Sequence, residues 1–191
     1  MEYKYILIIV SAIVIIMMSI MIAKGSDEQV VLDPVTSFYN LEANSIFGEA
    51  TKMELYKGKK ILVVNVASKC GLTPQYAQLE KLYQQHSDKL IILGFPSNDF
   101  LRQEPGNNEQ IATFCSREYA VTFPLFEKTK VKGSKKHSVY DWLSDPKQNG
   151  WNKKGPSWNF TKYLIDENGK LIKRFSPKTS PLSSDITTLI K

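Results

Sequence analysis

Cysteine and histidine are scarce: the 191 residues hold two of each. Two cysteines exclude a disulfide-stapled mini-protein. His86 and His137 lie far apart without ligand spacing, so no metal site is expected, and no cofactor is called for. Ten glycines and nine prolines exclude collagen-like and low-complexity chains. No Cys-x-x-Cys pair occurs, which excludes exchange between neighbouring sulfurs. Lysines are not interleaved with aromatics, so no nucleic-acid partner is expected. What is present is a globular composition, 42 % hydrophobic and 23 % charged. The net charge of +6 reads as a solvated basic surface, with an acidic partner or anionic lipid as the alternative.

Ile6 to Ala23 holds no charged residue. Eighteen residues at about 1.5 Å each span about 27 Å, close to a bilayer core of about 30 Å. Residues 1–24 therefore read as a single-span membrane helix. A cleaved signal peptide, and hence a secreted protein, is the alternative, although the small-x-small cleavage pattern is poor. Asp27 and Glu28 after the span tilt the orientation towards an extracytoplasmic body. Residues 25–36 read as a polar tether, and 37–191 as one domain.

Within that domain, Ile61–Ala67 and Leu90–Phe95 are short apolar runs that read as buried strands. Between them Thr73 and Pro74 resemble an N-cap and first helical residue, followed by Tyr76, Leu79, Leu82 and Tyr83 at helical spacing. Asn107–Tyr119 reads as a helix, Phe123–Phe126 as a short strand and Ser138–Leu143 as a helix. Lys162–Ile165 and Leu171–Phe175 flank a turn at 166–169, where Asn168 and Gly169 suit positive φ, and Ser184–Ile190 closes the chain as a helix. The pattern predicts an α/β fold: a mixed central sheet flanked by helices.

Cys70 falls between the first strand and its helix. The thiolate is the nucleophile, and free N–H groups at a helix mouth favour the anion. The same position carries Cys-x-x-Cys in the thioredoxin fold, but Thr73 stands in the second place here.

NVASKCGLTPQYAQLEKLY at 65–83, GFPSNDFLRQEPG at 94–106 and WNFTKYLID at 158–166 resemble, in order and spacing, the three motifs of the glutathione peroxidases. The resemblance is to the form with cysteine in place of selenocysteine, and it covers about residues 37–191. It implies a thioredoxin-like fold and reduction of hydrogen peroxide and organic or lipid hydroperoxides, with a role in oxidative stress. It carries the peroxidatic cysteine onto Cys70 and its partners onto Gln103, Trp158 and Asn159. These side chains can donate hydrogen bonds to a thiolate and to a leaving oxygen. Ser97, Asp99 and Leu101 depart from the family's usual cysteine, glutamine and glycine.

Cys115 matches the resolving cysteine of the thioredoxin-dependent, non-animal branch. The resemblance thus implies a Cys70–Cys115 disulfide, recycled by a thioredoxin-like donor or by glutathione. Tetrameric, glutathione-using members of that family carry a longer insertion where the stretch from Asp145 to Ser157 is short here, so the resemblance also implies a monomer. A membrane-tethered thiol–disulfide exchange protein, or a non-enzymatic redox sensor or copper-handling module, stands as the rival reading.

Overall fold

A computed structural model describes residues 36–190. The expected membrane helix at 1–24 and nearly all of the tether at 25–36 lie outside the described residues. Among the described residues no helix is long and apolar enough to cross a membrane.

The four expected strands form one sheet. β3 (Lys60–Val66), β4 (Leu90–Pro96), β5 (Lys162–Ile165) and β6 (Leu171–Phe175) lie in the order β4-β3-β5-β6. β3 and β4 pair in parallel, which requires a crossover, and α1 (Gln75–His86) supplies it. β5 runs antiparallel to both β3 and β6. The sheet is mixed, as the sequence predicts. Ahead of it, β1 (Glu42–Asn44) and β2 (Ala50–Lys52) form a small hairpin that hydrophobic pattern does not reveal.

Alternation along buried strands sends successive side chains into two cores. Ile61, Val63, Leu93, Phe95, Tyr163 and Ile165 meet Tyr140 and Trp142 of α3 (Ser138–Ser144). Leu62, Val64, Ile92 and Leu164 meet Tyr76, Leu79 and Leu82 of α1, and Ile111 and Cys115 of α2 (Asn108–Tyr119). A short α4 (Pro146–Asn149) and a last helix, α5 (Ser184–Thr187), complete the domain.

Several boundaries differ from expectation for local reasons. Thr73 does not cap α1: its hydroxyl donates to the Ala67 carbonyl and accepts from the Cys70 N–H. The helix instead opens behind Pro74, without a side-chain cap. Phe123–Phe126 forms isolated bridges rather than a strand, one of them to Gly94. α5 ends at Thr187, three residues short of the expected end. In the β5–β6 turn only Gly169 takes positive φ; Asn168 does not.

Gly94 is where the Phe123–Phe126 segment closes on the sheet. A Cβ there would sit 2.7 Å from Leu125 and 3.1 Å from Phe123. Gly94→Ala is expected to destabilise the domain by about 1–3 kcal/mol through overpacking, measured as a lower thermal midpoint.

Candidate active site

Three loops converge. The first follows β3 and carries Cys70, the second follows β4 and carries Gln103, and the third precedes β5 and carries Trp158 and Asn159. Ends of adjacent strands bring segments distant in sequence together. The loops are then bolted to one another by hydrogen bonds.

Cys70 is nearly buried, with 9 % of its surface exposed, and it is a free thiol. Its sulfur accepts a hydrogen bond from the Leu72 N–H at 3.4 Å. The Thr73 N–H bonds back to the Cys70 carbonyl at 3.0 Å, closing a turn over the sulfur. The expectation that Cys70 sits at the mouth of a helix needs correcting, because α1 begins five residues later, at Gln75. The Leu72 N–H of this turn takes the place of helix-terminal ones, and such a donor bonds more strongly to an anion than to a neutral acceptor.

The Lys69 N–H, one residue before the sulfur, donates to the Gln103 carbonyl at 2.9 Å. The Asn159 side-chain amide donates to Gln103 Oε1 at 2.9 Å. In this orientation the Gln103 N–H₂ group and the second Asn159 N–H remain to donate elsewhere. Asn159 is fully buried, and its Oδ1 has no hydrogen-bond partner. Trp158 packs against both cores and against Phe100, ring centroids 5.4 Å apart. The Asn65 side chain donates to the Trp158 carbonyl at 3.0 Å, and the Phe160 N–H returns to the Asn65 carbonyl at 2.6 Å. Asn65 of β3 thereby fixes the Trp-Asn pair to the strand that leads to Cys70.

Glu104 is a site residue that motif matching alone does not single out. It is fully buried, and its carboxylate accepts from the Ser68 N–H at 2.8 Å and the Ser68 hydroxyl at 2.6 Å. Burial pushes its carboxyl above the usual range, while the Ser68 bonds, Lys128 and Lys69 pull it down. Its own N–H donates to Asn98 at 2.9 Å. Glu104 thus ties the cysteine loop to the glutamine loop. The only sequence signal was its place in the Gln-Glu-Pro-Gly run.

That loop is strained beside the site. Leu101 and Arg102 have φ of 51° and 54°, uncommon values for side chains of this size. Leu101 replaces the usual glycine of the motif, and its left-handed φ explains why glycine suits the position.

Cys115 lies in the middle of α2, fully buried and free. Burial pushes its thiol up to about 11, although the nearby Tyr76 hydroxyl offsets part of the rise and Glu104 adds to it. Cys70 and Cys115 belong to the same apolar core.

A sequence model of the glutathione peroxidases matches residues 38–144. The chain belongs to the glutathione peroxidase family. As a member it is a thiol peroxidase that acts on hydroperoxides. It is 52 % identical over 151 residues to a glutathione peroxidase-like peroxiredoxin of Saccharomyces cerevisiae, covering 78 % of this chain and 93 % of the relative. It is 46 % identical over 157 residues to a glutathione peroxidase homologue of Halalkalibacterium halodurans, covering 81 % and 99 %. The structure of a T. cruzi glutathione peroxidase superposes with a TM-score of 0.64 at 30 % identity, covering 81 % of this chain and 94 % of that one. The thioredoxin-like α/β fold agrees with the expectation from sequence.

Proposed function

We propose that Cys70 is the peroxidatic residue of this glutathione peroxidase, served by Gln103, Trp158 and Asn159. The Cys70 thiolate attacks the terminal oxygen of ROOH and the O–O bond breaks. The sulfur becomes a sulfenic acid, and the leaving alkoxide takes a proton and departs as ROH. The carboxamide donors and the Trp158 indole N–H serve the oxygen that gains charge as the O–O bond breaks, while the Leu72 N–H holds the sulfur. The observation that carries this reading is the Asn159–Gln103 amide bond, set beside a Gln103 carbonyl anchored one residue from the sulfur. Partners 56 residues apart gain nothing from local structure by meeting there.

Cys115 serves as the resolving thiol. It condenses with the sulfenic acid, forming the disulfide and releasing water. A thioredoxin-like donor, or glutathione, then supplies the two electrons that restore both thiols. The protein works as a monomer. Residues 1–24 tether it to a membrane, with the body on the extracytoplasmic side. The uncharged run from Ile6 to Ala23 supports the tether, and Asp27 and Glu28 after it support the side.

The test is the rate of the first oxidation of reduced protein by peroxide, read on Cys70 by mass spectrometry. Gln103→Ala and Asn159→Ala are each expected to slow it by about 10²–10³, the usual cost of one preorganised donor. Alkylation of Cys70 by iodoacetamide, which needs no help for a leaving oxygen, stays close to wild type. Wild-type oxidation rates in both variants overturn the assignment.

A further inference from the structure

Lys162 opens β5, yet its side chain is fully buried. Its ammonium meets no carboxylate among the described residues. It donates instead to two main-chain carbonyls, Phe160 at 2.8 Å and Pro177 at 3.2 Å. Burial holds its pKa down to about 7. Charge is costly in such a place, and an apolar side chain of similar length would fill the same space without that cost. The two carbonyls therefore need explaining.

Phe160 directly follows Asn159, and its φ is 66°, rare for a bulky buried residue. Such a conformation persists only when its surroundings over-determine it. Its N–H is held by the Asn65 carbonyl and its carbonyl by Lys162, so both ends of the strained residue are clamped. Relaxing Phe160 to an ordinary φ would rotate the peptide that joins it to Asn159. The Asn159 amide would then leave Gln103. The second carbonyl, Pro177, also accepts from Gln75, the first residue of the helix behind the cysteine loop. One buried ammonium thus lies beneath the Trp-Asn turn and is linked to the start of α1.

We infer that Lys162 is a positioning residue for peroxide reduction. Its ammonium pins the Phe160 carbonyl and so keeps the left-handed turn that presents Asn159 to Gln103. The inference rests on the proposed role of Asn159 in the reaction.

Lys162→Met in the full chain tests it. Methionine fills the space and removes the buried charge, so the domain is expected to fold. Peroxide oxidation of Cys70 should slow by about tenfold or more, as a donor slips out of place, while iodoacetamide alkylation stays within about twofold of wild type. The double variant Lys162→Met/Asn159→Ala should be no slower than Asn159→Ala alone, because both changes remove one interaction. A purely structural lysine would lower the melting temperature without that non-additivity. A wild-type oxidation rate in Lys162→Met beside a slow Asn159→Ala overturns this inference alone, as do losses that multiply in the double variant. A wild-type rate in Asn159→Ala overturns the role of Asn159 and this inference with it. If Lys162→Met does not fold, Lys162→Gln, which keeps an amide donor, takes its place in the same comparison. If neither folds, the lysine is structural and the inference falls.

Discussion

Cys70→Ser in the full chain is expected to give a folded protein that no longer consumes peroxide. Serine keeps the size of the side chain and can still accept the Leu72 N–H, so the stability change should stay within about 1 kcal/mol. The chemistry is lost because a hydroxyl does not ionise near neutral pH and is a far poorer nucleophile than a thiolate. The carboxamides proposed to assist cannot compensate, since their role is to stabilise charge that only the attack creates. Removing a nucleophile from a site whose members act as a unit costs about four or more orders of magnitude. Peroxide consumption with a thioredoxin-like donor, beside a thermal melt, checks both halves. Turnover surviving in the variant would move the chemistry to another residue, and Cys115, at about 11, is poorly ionised for the task. A protein made only for thiol–disulfide exchange would consume no peroxide even in its wild-type form.

The frame of this site was legible in the sequence because β3 and β4 are short apolar runs and the β5–β6 turn ends in Gly169. Lys162–Ile165 and Leu171–Phe175 fall where pattern places them. α2 was legible too: Asn107 and Gln110 form a reciprocal capping box that fixes its start. The β1–β2 hairpin was not, since its three-residue strands bury almost nothing and carry no alternation long enough to read. Thr73 misled because a hydroxyl able to cap a helix is equally able to brace a turn, and its real partners are at Ala67 and Cys70. Cys70, Gln103, Trp158 and Asn159 were named by motif, but the bond between the two carboxamides belongs to tertiary structure alone. The same holds for Glu104 beneath Ser68 and for Lys162. A charged residue in a strand reads as a solvated edge until the chain closes over it, and only the folded protein shows which carbonyls it serves.

Cys115→Ser is expected to leave the first oxidation of Cys70 at its wild-type rate and to stall the resolving step. The sulfenic acid then waits for an external thiol. An internal thiol acts at an effective concentration of about 1 mM or more; against a donor at about 10 µM its loss slows turnover by about 100-fold. The stalled sulfenic acid meets further peroxide, so sulfinic acid on Cys70 should accumulate, seen as a mass gain of two oxygens. The wild-type step has its own physical demand. With its thiol at about 11, Cys115 in the closed helix is ionised to about one part in 10⁴ at pH 7. Exposed, at about 8.5, it would be ionised to about 3 %. A disulfide also requires Cα atoms within about 7 Å, and a residue packed mid-helix is poorly placed to reach a loop sulfur. Unwinding the middle of α2 meets both needs at once. Its ends are well held, by the capping box at Asn107 and by the Thr122 N–H and hydroxyl on Glu80 beyond the far end. The opening must therefore break the contact of Phe114 with Tyr76 rather than release the whole helix. Hydrogen exchange should show amides around Cys115 protected in the reduced protein and exposed in the disulfide form. An oxidised protein with α2 still protected, or with no Cys70–Cys115 disulfide, would rule out this route.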